Sequence, residues 1–341
     1  MSVTRETIME NKNKSTSTEN HASTGTVRHQ FANSNDLLGF LELDVRSAPY
    51  IIIESAKFPF LVPVSFACRM RKRDWYDPLL LQVLPRAEES VEREGFSDDA
   101  VGDHEAQAVP GLLHKYDSRV LLMSSSACSV HCRFCFRRCY PLCSTIGESA
   151  WQYIDEHREV NEVILSGGDP LCLDPADLEY FTQRVIAIPH VKTLRIHTRV
   201  PIADPGRITP AIIDILSSIN NVKTCIVVIH ANHANELSGE CSYLLTRIKA
   251  TGALLLNQSV LLRGINDSIE RLRDLSTALL DHGVLPYYLH QLDRVRGAWH
   301  FEVEEERGKE ICNELREKLP GYAVPRYVRE VAGEKSKRPL L

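Results

Sequence analysis

The chain has 341 residues, a formal net charge of −5, and 43% hydrophobic against 25% charged residues. Those values fit a soluble globular protein of one large or two ordinary domains and exclude a broad basic surface for nucleic acid. No apolar run reaches the roughly 20 residues of a membrane span, and the polar start MSVTRETIMENKNKSTSTEN has no signal core, so the expected place is the cytoplasm.

Residues 1–34 are rich in Ser, Thr, Asn, Glu and Lys and are expected to be a disordered tail. A helical N-terminal region is expected over 35–110. There "NDLLGFLEL" has a capping residue ahead of its apolar positions, and "DWYDPLLLQVL" offers Asp77 as cap with Pro78 at the first helical position. An acidic connection, "EESVEREGFSDDAVGDHEAQ", follows.

The main body, 111–300, alternates. Strands are expected at "RVLLMSS" (119–125), "EVILSGG" (162–168), "TLRIHTR" (193–199), "TCIVVIH" (224–230), "ALLLNQSVLL" (253–262) and "LPYYLHQL" (285–292). Their nearly continuous apolar character suits burial on both faces. Helices are expected to open at Asp174-Pro175 and Thr209-Pro210, and a third carries Ile269, Leu272, Leu275 and Leu279 up to Gly283. Strand–helix units at intervals of roughly 30 residues read as successive right-handed βαβ crossovers. The fold class is therefore α/β, an open partial (β/α)6 barrel, with a doubly wound sheet as the alternative. Either places chemistry at the C-terminal ends of the strands. A C-terminal helix and a short basic tail occupy 301–341.

The first strand runs into "ACSVHCRFCFRRC", where Cys128, Cys132 and Cys135 stand as C-x3-C-x2-C. A reducing compartment disfavours a disulfide framework among ten cysteines. A structural zinc site needs a fourth ligand, which only Cys139, Cys143 or His131 offers nearby. An iron–sulfur cluster takes one thiolate per iron, and three cysteines leave one iron open. Most of the other seven cysteines are expected to be small buried hydrophobes.

The motif resembles that of the radical S-adenosylmethionine (SAM) superfamily, in which the amino and carboxylate groups of SAM chelate the open iron of a [4Fe–4S] cluster. The resemblance implies that Cys128, Cys132 and Cys135 are the metal ligands. It also implies that Ser166, Gly167, Gly168 and Asp169, after the second strand, contact SAM together with His230 and Gln258.

It narrows to proteins like lysine 2,3-aminomutase through "LLHKYDSRVLL", "CRFCFRR", "SGGDPL", "HANHANE", "NQSVLLRGIND", "PYYLHQLDRVRGAWHF" and "VPRYVREVAGEKSKRPL". The branch closest in wording makes (R)-β-lysine for modification of elongation factor P. This resemblance implies a second cofactor, pyridoxal 5′-phosphate (PLP), bound through a Schiff base to Lys337, with Lys335 as an alternative two residues away. It implies Lys115 and Arg119 at the phosphate, Arg137 at the substrate carboxylate, and Asp293 and Glu330 at the distal ammonium of lysine. Glu330 stands where the family usually has Asp. Two acids favour lysine over an acidic substrate. The implied partners are free lysine, a reductant protein, and elongation factor P with its lysyl ligase; no nucleic acid or membrane is expected. Two other readings stay open, a radical SAM mutase for another amino acid or a protein-bound residue, and a zinc-stabilised interaction module. Cys139 and Cys143 depart from the family's wording and have no assigned role.

Overall fold

The computed structural model describes residues 30–55, 57–141 and 146–341. Nearly all of the expected tail, and Cys143, lie outside them. Two short strands, β1 (Gln30–Phe31) and β2 (Val62–Pro63), pair antiparallel beside helices α1 (Ser34–Phe40) and α2 (Val64–Ala67). Asn33 caps α1, its side chain accepting from the Asp36 N–H at 2.9 Å.

The N-terminal region holds less helix than its sequence promised. Asp77 does cap, taking the N–H groups of Leu79 and Leu80 on one oxygen at 2.9 and 3.0 Å, but only a 3-10 turn over Leu80–Gln82 follows. Prolines at 49, 59, 63, 78 and 85 interrupt every run long enough to propagate a helix. Leu37, Leu41, Phe66, Leu79, Leu80 and Leu84 form one buried cluster that also takes in Val130 of the cysteine loop and Ala203.

The main sheet has ten strands: β3 (Gln107–Val109), β4 (Leu112–Tyr116), β5 (Arg119–Ser125), β6 (Glu162–Gly167), β7 (Thr193–Thr198), β8 (Thr224–Ile229), β9 (Leu254–Val260), β10 (Leu285–His290), β11 (Arg326–Arg329) and β12 (Arg338–Pro339). They lie side by side in chain order, and β5 to β11 are parallel. The six expected parallel strands are β5 to β10. The order never reverses, which excludes the doubly wound alternative. One further parallel strand, β11, extends the array.

The crossovers carry helices α3 (Glu148–Glu156), α4 (Pro175–Ile186), α5 (Val200–Ala203), α6 (Pro210–Asn220), α7 (Glu240–Ala250), α8 (Ile269–Asp281) and α9 (Glu305–Lys318). Pro175 and Pro210 sit at the first turn, and Thr209 caps α6. Val163, Leu165, Leu194, Ile196, Val227 and Leu255 turn outward against Trp151, Leu178, Phe181, Leu216 and Leu245. Each such buried side chain stabilises the fold by about 1.5–3 kcal/mol.

The alternate positions of the same strands face inward and carry polar groups, among them Ser166, Arg195, His197, Gln258, Tyr288 and His290. The strands' two faces therefore differ: one packs the core and the other lines a cavity. The sheet does not close by hydrogen bonding, since β3 and β12 are its edges. The two lips nevertheless meet. The Tyr116 hydroxyl at the end of β4 donates to Glu330 Oε1, just past β11, at 2.5 Å. Among the described residues no helix is long and apolar enough to cross a membrane.

Candidate active site

A cavity of about 410 Å3 occupies the inside of the curled sheet, and every residue expected at the site lines it. Cys128, Cys132, Cys135, Arg137, Ser166, Gly167, Gly168, Asp169, His230 and Gln258 gather at the C-terminal ends of β5, β6, β8 and β9. Arg119 lies at the opposite end of β5, roughly 20 Å away at about 3.3 Å per residue. Its guanidinium lies over the Tyr116 ring, 4.2 Å from the centroid. Asp293, Glu330 and Lys337 line the cavity as well.

The cysteine loop is held by ion pairs that do not use its thiols. Arg133, 1% exposed, and Arg138 both pair with Glu89 of the N-terminal region. Arg138 also donates to the carbonyls of Arg133 and Gly297 at 2.7 and 3.0 Å. Burial alone raises the Glu89 carboxyl, but the two guanidinium groups outweigh it and hold the group below the usual range. The adjacent arginines thus divide their work: Arg138 builds the loop, and Arg137 enters the cavity.

Behind the loop, Gly167 takes φ +111°, and a Cβ on Gly168 would stand 2.4 Å from the Ala127 carbonyl oxygen. The two backbones are joined by Gly168 N–H to Ser125 O and Asp169 N–H to Ala127 O, both at 2.7 Å. The Asp169 carboxylate turns the other way. It accepts from Thr198 Oγ1 at 2.7 Å, Arg199 N at 2.6 Å, Leu171 N at 3.0 Å and Val200 N at 3.2 Å. Its side chain ties the end of β6 to the end of β7.

Charges alternate around the rest of the cavity. Asp103 holds Lys115 at 2.6 Å and Arg137 Nε at 2.8 Å, and Arg137 also reaches Ser166 Oγ at 3.1 Å. Lys337 pairs with Glu330. Lys335 is exposed and lies off the cavity. Burial lifts the Asp293 carboxyl to about 7, with Lys337 opposing and Glu330 adding. Glu330 moves the other way: burial raises it, and Lys337 and Tyr116 together bring it below its ordinary value.

Residues that sequence reading passed over are also present. Asp103 sat in a run read as an acidic connection, and Tyr116 in a strand not foreseen. His197 and His290 face inward from β7 and β10 with Nε2 buried and unpartnered, and burial keeps both rings neutral. Period-two placement on their strands was the available signal. His230, stacked on Phe134 at 5.5 Å, is pushed down to about 3 by burial and then by the nearby Arg199.

The donor set fits the groups that the sequence implied. Three thiols outside any disulfide line the same cavity, and three thiolates suit an iron–sulfur cluster; among the described residues no three such side chains already stand in a metal-holding arrangement. The two glycines beside the thiols are demanded by the close packing of their backbone on Ser125 and Ala127, and both line the same cavity. An inward-facing lysine with orphaned imidazole nitrogens suits a polar, amine-linked cofactor. For the zinc alternative, His131, the nearest imidazole, does not line the cavity that the three thiols line, and its Nδ1 is bonded to the Pro59 carbonyl at 2.9 Å. Of the spare thiols among the described residues, Cys225, Cys241 and Cys312 are buried as expected of most of them and Cys172 is half-buried, whereas Cys68 and Cys139 are exposed.

Comparison with known proteins gives three measures. No protein-family model matches the chain. L-lysine 2,3-aminomutase of Escherichia coli (strain K12) is 43% identical over 313 residues, covering 90% of each chain. The protein of that name from Buchnera aphidicola subsp. Baizongia pistaciae (strain Bp) is 41% identical over 317 residues, 91% of this chain and 93% of that one. The one from Clostridium subterminale is 35% identical over 271 residues, 78% of this chain and 64% of that one. Among solved structures, Streptococcus suis SuiB bound to S-adenosylmethionine matches with a TM-score of 0.47 and 13% identity, over 64% of this chain and 52% of that one. Identity above 40% along nine-tenths of the length, with the motif residues gathered in one cavity, settles the family. The chain belongs to the lysine 2,3-aminomutase family of isomerases.

Proposed function

We propose that the protein is a cytoplasmic radical SAM, PLP-dependent aminomutase that converts (S)-α-lysine to (R)-β-lysine, and that its product serves the modification of elongation factor P. The single observation that carries the reading is that three thiols, an inward lysine and the charged groups Arg137, Asp293 and Glu330 all line one cavity. Bound in such a site, the cluster with SAM supplies a hydrogen-abstracting radical, and PLP supplies the bridge by which nitrogen passes between adjacent carbons.

The chain's own part is binding and orientation. Cys128, Cys132 and Cys135 would hold the cluster, and the Gly167-Gly168 backbone with His230 and Gln258 would hold SAM. Lys337 would carry PLP, with Arg119 at the phosphate and Lys115, already paired with Asp103, beside it. Arg137, fixed through Asp103 and Ser166, presents a planar donor to the substrate carboxylate. Asp293 and Glu330 offer two acids to the distal ammonium. Both charged ends are thereby fixed, so the two carbons that exchange hydrogen and nitrogen are held between them. The exchange is internal to the substrate and has no net redox change.

The test is anaerobic incubation of reconstituted protein with lysine, SAM, PLP and dithionite, followed by chiral separation of the products. (R)-β-lysine is the expected product. Its absence with iron and PLP both bound overturns the reading, and a shifted product with another amino acid redirects it to that substrate. Addition of elongation factor P and its lysyl ligase is expected to place the β-isomer on the factor.

A further inference from the structure

Arg199 stands at the end of β7, 6% exposed, and belongs to a network of buried polar groups. One terminal nitrogen donates to Gln82 Oε1 at 2.7 Å and Glu236 Oε2 at 2.8 Å. Glu236, fully buried, also takes Gln82 Nε2 at 3.0 Å and the N–H groups of Asn232 and His233 at 2.9 and 3.0 Å. The Arg199 backbone N–H is tied to Asp169. With so many contacts the guanidinium has one orientation, and its remaining terminal nitrogen lies 2.6 Å from Cys132 Sγ.

We propose that Arg199 is a positioning residue for the iron–sulfur cluster, donating a charge-assisted hydrogen bond to the Cys132 thiolate and thereby making the cluster easier to reduce. The physics is general. Hydrogen bonds to ligand sulfurs and nearby positive charge stabilise the added electron and raise a cluster's potential. Salt bridging to Glu236 keeps the buried cation compensated, so it remains charged without substrate. Gln82 comes from the N-terminal region, which gives that region a part in tuning the cluster as well as in covering it.

This inference rests on the reading that the three cysteines hold a cluster, and iron and sulfide analysis of reconstituted wild-type protein tests that reading first. If no cluster forms, the functional reading fails. If it forms, wild-type protein grown with 15N-arginine and reduced with dithionite is expected to show a 15N coupling to the cluster in pulsed electron paramagnetic resonance. Arg137 donates its backbone N–H to Cys135 and lies beside the same site, so the label is confined to guanidinium nitrogens and the spectrum of Arg199→Lys is subtracted from that of the wild type. A coupling present in the wild type and missing from the variant is expected, and identical spectra of the two proteins overturn the proposal.

Potentiometric titration supplies the second readout. Arg199→Met is expected to keep its iron and sulfide, to titrate at a more negative midpoint, and to be reduced by dithionite to a smaller fraction. Arg199→Lys is expected to recover part of the shift. An unchanged midpoint in an Arg199→Met protein with full iron also overturns the proposal, and if that variant loses its cluster the 15N difference spectrum decides alone.

Discussion

Arg137 donates Nε to Asp103 Oδ2 at 2.8 Å, while Lys115 takes the other oxygen of the same carboxylate at 2.6 Å. Two cations proposed for different ends of the ligand set are thus oriented by one buried acid. Asp103→Asn keeps the shape but removes the charge. The lysine KM is expected to rise roughly ten- to a hundredfold, the worth of a charge-assisted hydrogen bond, with a smaller change in kcat. Steady-state kinetics on the reconstituted enzyme checks this.

Asp293 gives the site a pH dependence. Its carboxyl is lifted to about 7 by burial, and the distal ammonium of lysine needs it ionised. Lysine binding is expected to tighten as pH rises through about 7, by about tenfold per unit below that point, and to level off above it. Asp293→Asn is expected to flatten the profile and weaken binding. For stability the sign is opposite: a raised carboxyl is the tighter proton binder in the native state. Its contribution is present below the ordinary carboxyl value and is lost as pH rises through about 7. Calorimetric binding and denaturation series over pH measure both.

Gly168 and Gly206 make a matched pair. A Cβ at Gly168 meets the Ala127 carbonyl oxygen at 2.4 Å, whereas at Gly206 nothing lies within 4 Å. Gly168→Ala is expected to cost about 1–3 kcal/mol through overpacking and to loosen the cysteine loop, lowering iron retained after reconstitution. Gly206→Ala is expected to leave both unchanged. Chemical denaturation and iron analysis read the contrast.

Glu89 neutralises two buried arginines, so its removal leaves both without a counter-charge. Glu89→Gln is expected to destabilise the protein by about 3–5 kcal/mol. Its lowered carboxyl contributes stability above the ordinary value, and that contribution is lost as pH falls through the native-state value. The variant is therefore expected to lose its sensitivity to acid over that window, which urea titrations at several pH values detect.

Lys337 lines the cavity and Lys335 does not. Lys337→Ala is expected to abolish the visible absorption of lysine-bound PLP and the activity with it. Lys335→Ala is expected to retain both. Absorption spectra of the two variants after incubation with PLP decide.

The six central strands were legible because β-branched and leucine runs bounded by Gly, Asp and Pro admit few other readings, and each begins within a residue of its expected start. β11 was not, since "RYVR" is short and charged at both ends, and its partner is set only by the curl of the whole sheet. The site residues on motifs were legible through a family resemblance. Asp103 was not: nothing in "SDDAVGDHE" separates the one buried acid from its half-buried and exposed neighbours, because burial is decided by Lys115 and Arg137 arriving from β4 and the cysteine loop. Arg199 was visible only as a polar strand end. Its contact with Cys132 joins residues 67 apart, which no local pattern encodes.

The meeting of Tyr116 and Glu330 makes a seam in the wall of the cavity. The two residues are 214 apart in sequence, and the curl of the sheet between them brings them together. Elsewhere around the wall a gap requires breaking a backbone ladder between strands. Where the lips meet, the tyrosine rests on Glu330 and Gly102 lies against Ala332, and the chain ahead of β3 is tied to the segment after β10 by Ser97 N–H to Arg294 O at 3.0 Å and Arg296 N–H to Ser97 O at 2.8 Å. Glu330 serves the seam through one oxygen and Lys337 through the other, so one acid links the closure of the wall to the amine inside it.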